Sequence, residues 1–328
     1  MTAVCIFALS LCAAGAAQAQ GARTSSPPEL ARSIEQLKPG DWVWAPEVSP
    51  HGPVLVYVDL SRQIALVYRN GVRIAATTVS SGKDGHETPT GVFTILQKDA
   101  KHRSSTYNNA PMPFQQRLTW DGVALHAGGL PGYPESHGCV HLPYEFAREL
   151  FAITDLGITV VVQGNAASHV STAANSLLAP LDAKGRAVAV SPLRDTEYRW
   201  QPELSAAGPL TLIVSKLDQR IVVLRNGIEI GRSVARIADP DSGSHVINLV
   251  MREGRPRWVY VGLTGHAIDD GRDVDEAALN RVQIPKRFYE LVKAQLGPGA
   301  TILITNSRVG ADPFARLTIM DAVSPTIE

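Results

Sequence analysis

The sequence predicts a mainly β protein made of two copies of one fold. Three observations carry that expectation: short β-branched runs separated by turn signals, one short helical pattern in each half, and a second stretch that repeats the first without a gap. The first apolar run is Val54 to Val58, and Ile64 to Tyr68 resumes it after a polar break. Asn70-Gly71 then marks a tight hairpin into Val72 to Ser80, because both residues tolerate the positive φ that a two-residue turn needs. The opening therefore reads as a β-meander.

The stretch "SGKDGHETPTGVFTIL" is a loop punctuated by Gly, Pro and Thr that runs into another strand. From Lys98 to Met112 the chain is polar and aperiodic, and so long a loop in a compact domain is expected to be functional, as a lid. In "PYEFARELFAI" the apolar residues Phe146, Leu150 and Ile153 follow a proline start at helical spacing, and Ile158 to Val162 closes the unit as a core strand.

Setting Trp44–Gly71 against Trp200–Gly227 gives 12 identities in 28 positions, ending in a shared Arg-Asn-Gly. Further on, "LPYEFARELFAITDLGITVVV" aligns with "IPKRFYELVKAQLGPGATILI". A tandem duplication is the reading. The expected division is a signal peptide over 1–19, an entry segment over 20–50, a catalytic domain over 51–164, a linker over 165–199 and a degenerate repeat over 200–328. Residues 166–189 are rich in Ala and Ser, as a linker would be.

Lys+Arg and Asp+Glu balance at 31 each in 328 residues, so there is no basic field to attract nucleic acid or anionic lipid. The first 22 residues are uncharged, with an apolar run from Val4 to Ala14 and the small-residue tripeptide Ala17-Gln18-Ala19. That pattern predicts export to the periplasm, with cleavage before Gln20 and no membrane span afterwards. Cys5 and Cys12 then leave with the signal, and Cys139 stands alone.

Cys139 lies in "ESHGCVHLP", residues 135–143. Three readings are open: an inert buried thiol, a metal ligand or a nucleophile. In an extended segment His137, Cys139 and His141 share a face, and with His126 they would suit tetrahedral zinc. Against this, structural zinc sites usually join ligands from two separate turns, and Gly138 next to the thiol is better suited to close backbone approach. A nucleophile needs a base and oxyanion donors: His126 or His137 can take the proton, and the Gly138 and Cys139 amides can face the oxyanion. This favours acyl transfer, with no metal and no cofactor.

The assembly "SGKDGHETPTGVF", "LHAGG" and "SHGCVHLP" resembles the YkuD-type L,D-transpeptidases, cysteine enzymes that remodel bacterial peptidoglycan. The resemblance spans Val54 to Val162. It implies a β-sandwich catalytic domain with a short helix after the Cys motif, Cys139 as nucleophile, His126 as the histidine that takes its proton, and Ser136, His137 and Gly138 as the frame of the motif. Two departures stand out. His126 and Ser136 are closer in sequence than the family usually has them, and His141 replaces the usual Arg or Asn two residues after the cysteine. Thr90, on the loop the resemblance places beside the cleft, and Met112, Tyr133, Ser136, Gly138 and His141 around the motif are the candidate substrate contacts.

The expected activity is L,D-transpeptidation of peptidoglycan stem peptides through a Cys139 thioester, the acceptor being another stem's amine, a free D-amino acid or an envelope protein. Hydrolysis of the same thioester, as in a carboxypeptidase or endopeptidase, is the alternative, and a non-catalytic cell-wall-binding module the second. In the repeat, Ser136-His137-Gly138-Cys139 aligns with Ala278-Leu279-Asn280-Arg281, so that copy is expected to be silent.

Overall fold

The structure is a computed structural model that describes residues 21–164, 198–226, 228–238, 244–261, 271–306 and 309. The expected signal segment and nearly all of the linker lie outside the described residues. The chain is mainly β, as the sequence predicts.

The first half runs β1 (Gly21–Arg23), α1 (Pro27–Glu35), β2 (Trp42–Trp44), β3 (Val54–Asp59), β4 (Ile64–Arg69), β5 (Val72–Thr78) and β6 (Gly91–Thr94). Then come β7 (Gln97–Asp99), β8 (Gln115–Arg117), β9 (Ala124–Ala127), β10 (Val140–Leu142), α2 (Tyr144–Ile153) and β11 (Thr159–Gln163). Seven strands form one sheet in the order β1-β2-β5-β4-β3-β11-β6, and β10-β9-β8-β7 form a second. The Asn70-Gly71 hairpin has φ of 51° and 71°. The sheet extends into the expected entry segment: β2 pairs with β5, and the Trp42 and Trp44 rings pack edge-on against Phe146 of α2 at 6.2 and 5.3 Å.

The second half comprises β12 (Tyr198–Trp200), β13 (Leu210–Ser215), β14 (Arg220–Arg225), β15 (Ile228–Val234), β16 (Arg236–Ile237), β17 (His245–Arg252) and β18 (Arg255–Val261). It ends with α3 (Glu276–Leu279), β19 (Val282–Gln283), α4 (Lys286–Lys293) and β20 (Thr301–Thr305). Its sheet order, β12-β15-β14-β13-β20-β17-β18, follows that of the first sheet from β2 to β6. The likeness reaches atomic detail. Both β4–β5 and β14–β15 shift register at one aligned place, between Val67 and Tyr68 and between Val223 and Leu224. Arg69 Nη1 donates to the Ser49 and Pro50 carbonyls, as Arg225 Nη1 does to those of Ser205 and Ala206.

The two large sheets pack back to back. Leu55, Tyr57, Leu66 and Val161 of the first meet Ile213, Val222, Leu224 and Leu303 of the second in one buried cluster. The opposite face of the first sheet holds Val56, Val58, Val67 and Val160 against Leu125, Val140, Phe146 and Leu150. Burial on both faces explains why β3 and β4 read as continuous apolar runs, with no alternation.

Candidate active site

The site lies on one face of the four-stranded sheet. β10 pairs parallel with β9, setting Val140 opposite Leu125 and His141 opposite His126. β8 pairs antiparallel with β9, setting Arg117 opposite Ala124 and Gln116 opposite Leu125. β7 adds Gln97 opposite Arg117 and Asp99 opposite Gln115. Alternation then gives two rows of side chains on one face: Cys139, Ala124, Arg117 and Gln97 in the first, and His141, His126, Gln115 and Asp99 in the second. A cavity of about 590 Å³ opens over these rows, walled by lid residues from His102 to Met112.

Cys139 is 7% exposed, in contact with Met112 and Ala124. Its Sγ lies 3.5 Å from Gly122 O, to which the thiol donates. Burial pushes the thiol up to about 11, and the Ala124 amide and Arg117 pull it partly back. His126 is 5% exposed, and burial with the nearby His141 lowers its pKa to about 4. Its Nδ1 lies 2.8 Å from Ala127 O. A carbonyl only accepts, so Nδ1 carries the hydrogen and Nε2 keeps the lone pair of a base. The resting pair is a neutral thiol and a neutral imidazole.

This burial links the site to stability. The unfolded chain protonates His126 near its ordinary value, whereas the folded chain resists until about pH 4, so the stabilisation is complete above the ordinary value and is lost as pH falls toward 4. The loss is expected to be on the order of 3 kcal/mol. Denaturant unfolding at pH 7 and pH 4.5 measures it, and His126→Gln is expected to flatten the difference.

The motif is arranged differently from an extended strand. Gly138 sits at φ 107°, a region closed to most side chains, so the chain turns between Ser136 and Cys139 and only Cys139 and His141 keep a common face. Ser136 Oγ donates to Cys139 O at 2.5 Å and accepts from the Gly138 amide at 3.2 Å. That buried hydroxyl holds the turn, and the Gly138 amide is occupied by it rather than aimed at an oxyanion. His137 leaves that face for the cavity wall and lies 4.7 Å, ring centre to ring centre, from both His86 and the lid residue Tyr107. His141 packs 4.9 Å from His126, with Nδ1 3.2 Å from Gly129 O and 3.6 Å from Glu135 Oε1. Burial lowers its pKa, while Gly129 and Glu135 raise it back.

Met112 lines the cavity with Cys139, His126, His137 and His141. Thr90 and Tyr133 do not: Tyr133 is 60% exposed, its backbone carbonyl accepting from Ser80 Oγ. Thr88, two residues before Thr90, uses its Oγ1 to accept from the Gly82 amide and so braces its own loop. Sequence reasoning passed over Arg117, Gln115 and Trp120, which line the cavity beside the motif. The polar run "QQR", which forms β8, was the available signal. Among the described residues no group of three His, Cys, Asp or Glu side chains is placed to hold a metal ion.

Residues 53–162 match the YkuD family, the L,D-transpeptidase catalytic domain. The match to that domain covers about a third of the chain. Among solved structures, an L,D-transpeptidase from Stackebrandtia nassauensis is 32% identical, with 36% of this chain and 58% of that one covered at a TM-score of 0.33. One from Mycobacterium smegmatis is 25% identical, covering 34% and 59% with a TM-score of 0.32. A third, from Mycobacterium tuberculosis H37Rv, is 24% identical, covering 34% and 58% with a TM-score of 0.33. The chain thus spans less than two thirds of these proteins. No curated protein matches it. Cys139, His126 and the cavity above them all fall inside the segment that matches the YkuD family.

Proposed function

We propose that this protein is a periplasmic L,D-transpeptidase that acts on peptidoglycan stem peptides through a Cys139 thioester. The observation that carries the reading is the placement of Cys139 and His126 on one sheet face, under one cavity, inside the segment that matches the YkuD family. His126 Nε2 takes the thiol proton as Sγ attacks the carbonyl of an L-configured centre. The imidazolium then protonates the departing amine of the terminal D-residue, leaving a thioester. An amine acceptor attacks that thioester, gives up its proton to His126, and restores the thiol. The lid residues Tyr107 and Met112 keep the thioester sheltered from water.

The second half is a silent duplicate in this reading. Where β10 follows Cys139, the aligned β19 follows Arg281, which is exposed at the edge of a cavity of about 730 Å³. No sulfur nucleophile stands there. Its role is to cover the back of the first seven-stranded sheet.

Mass spectrometry of the exported form incubated with a disaccharide-tetrapeptide, with and without an added D-amino acid, tests the activity. The expected result is an acyl-enzyme on Cys139 and an exchanged product that depends on the amine. Product formed only by water would replace the transpeptidase with a hydrolase, and no adduct would remove the proposal.

A further inference from the structure

A buried thiol beside a buried, neutral histidine lacks the imidazolium that usually favours a thiolate. The positive charge must come from elsewhere. Arg117 is the only Lys or Arg among the residues lining the cavity, and it stands in the same row as Cys139. Between them is Ala124, whose methyl group is too short to screen one from the other. The guanidinium is held from both sides: Nε donates to Gln97 Oε1 at 2.9 Å, and its carbon lies 6.0 Å from the centre of the Trp120 ring. From this placement we infer that Arg117 is a positioning residue that favours the Cys139 thiolate and keeps it in place for attack. The inference rests on the reading of Cys139 as the nucleophile.

The other groups around the sulfur do not supply the charge. His126 on β9 stays neutral down to about pH 4, and burial lowers His141 on β10 and His137 in the turn. Tyr107 and His102 reach in from the lid, and Asp121 and Glu135 are acidic residues of the wall. Burial lowers the Arg117 pKa and the sulfur raises it back, while Arg117 in turn lowers that of Cys139. In the low-dielectric cavity a fixed cation has more effect than it would in water.

The test uses the full chain and iodoacetamide, whose carbon forms a bond to the thiolate sulfur as iodide leaves and the thiol proton passes to solvent. The alkylation rate of Cys139 against pH gives the thiol midpoint. Arg117→Met and Arg117→Gln are each expected to raise that midpoint by about one unit, with roughly tenfold slower alkylation at any pH below both midpoints. Arg117→Lys keeps the charge and is expected to stay near the parent. Gln97→Leu removes only the exposed anchor and is expected to give a smaller rise. Folded neutral variants with the parent midpoint would overturn the inference. If neither neutral variant folds, a parent midpoint in Gln97→Leu overturns it. Because alkylation requires no peptide substrate, a positive result here with no turnover of muropeptides would reject the transpeptidase and leave the role of Arg117 standing.

Discussion

Cys139→Ser is expected to lower acyl transfer by at least about a thousandfold while the protein stays folded. A serine hydroxyl is far less acidic than a thiol, and His126, neutral with a pKa near 4, is too weak a base to compensate. The fold should tolerate the change, since an Oγ can keep the bond that Sγ makes to Gly122 O and the neighbours Met112 and Ala124 are small or pliable. A carbapenem offers a separate readout, because its strained ring presents an activated carbonyl to a thiolate. The parent is expected to gain the mass of one carbapenem on Cys139, and the variant none. Transfer within tenfold of the parent, or an adduct that survives the substitution, would place the nucleophile elsewhere.

Removing the second half is expected to have the next largest effect. A chain ending at residue 164 would expose the back of the first seven-stranded sheet, where Leu55, Tyr57, Leu66 and Val161 are now nearly inaccessible. An apolar patch of that kind leads to association and loss of solubility. A point substitution asks the same question in the whole protein. Leu224→Asp would bury a charge with no partner in that cluster, at a cost of several kcal/mol. Its melting temperature is expected to fall together with muropeptide turnover, although residue 224 lies on the far side of the sheet from the cavity. A truncated chain that is soluble, melts like the parent and retains turnover would show that the second half does not buttress the first.

Much of this was legible in the sequence for local reasons. Continuous β-branched runs and Asn70-Gly71 predict the meander because strand preference and positive-φ turns are properties of a few adjacent residues. The helix over Tyr144–Ile153 follows from its own spacing. Cys139 and His126 stood out because reactive side chains in a Gly-rich frame are rare. The likeness between the two halves was visible as identities, among them Arg69 and Arg225, which make equivalent hydrogen bonds.

Other features depended on contacts between distant segments. Gln115 and Arg117 join the site only through the registers of β8, β9 and β10, and nothing within a strand dictates which partner residue it will face. The turn at Gly138 takes His137 off the face that alternation alone would assign it, because the backbone is bent by a serine hydroxyl two residues earlier. An apolar strand announces that it will be buried, but not against what. Here each face of the first sheet found a different partner, the four-stranded sheet with α2 on one side and the second half on the other, and only packing in three dimensions could distribute them.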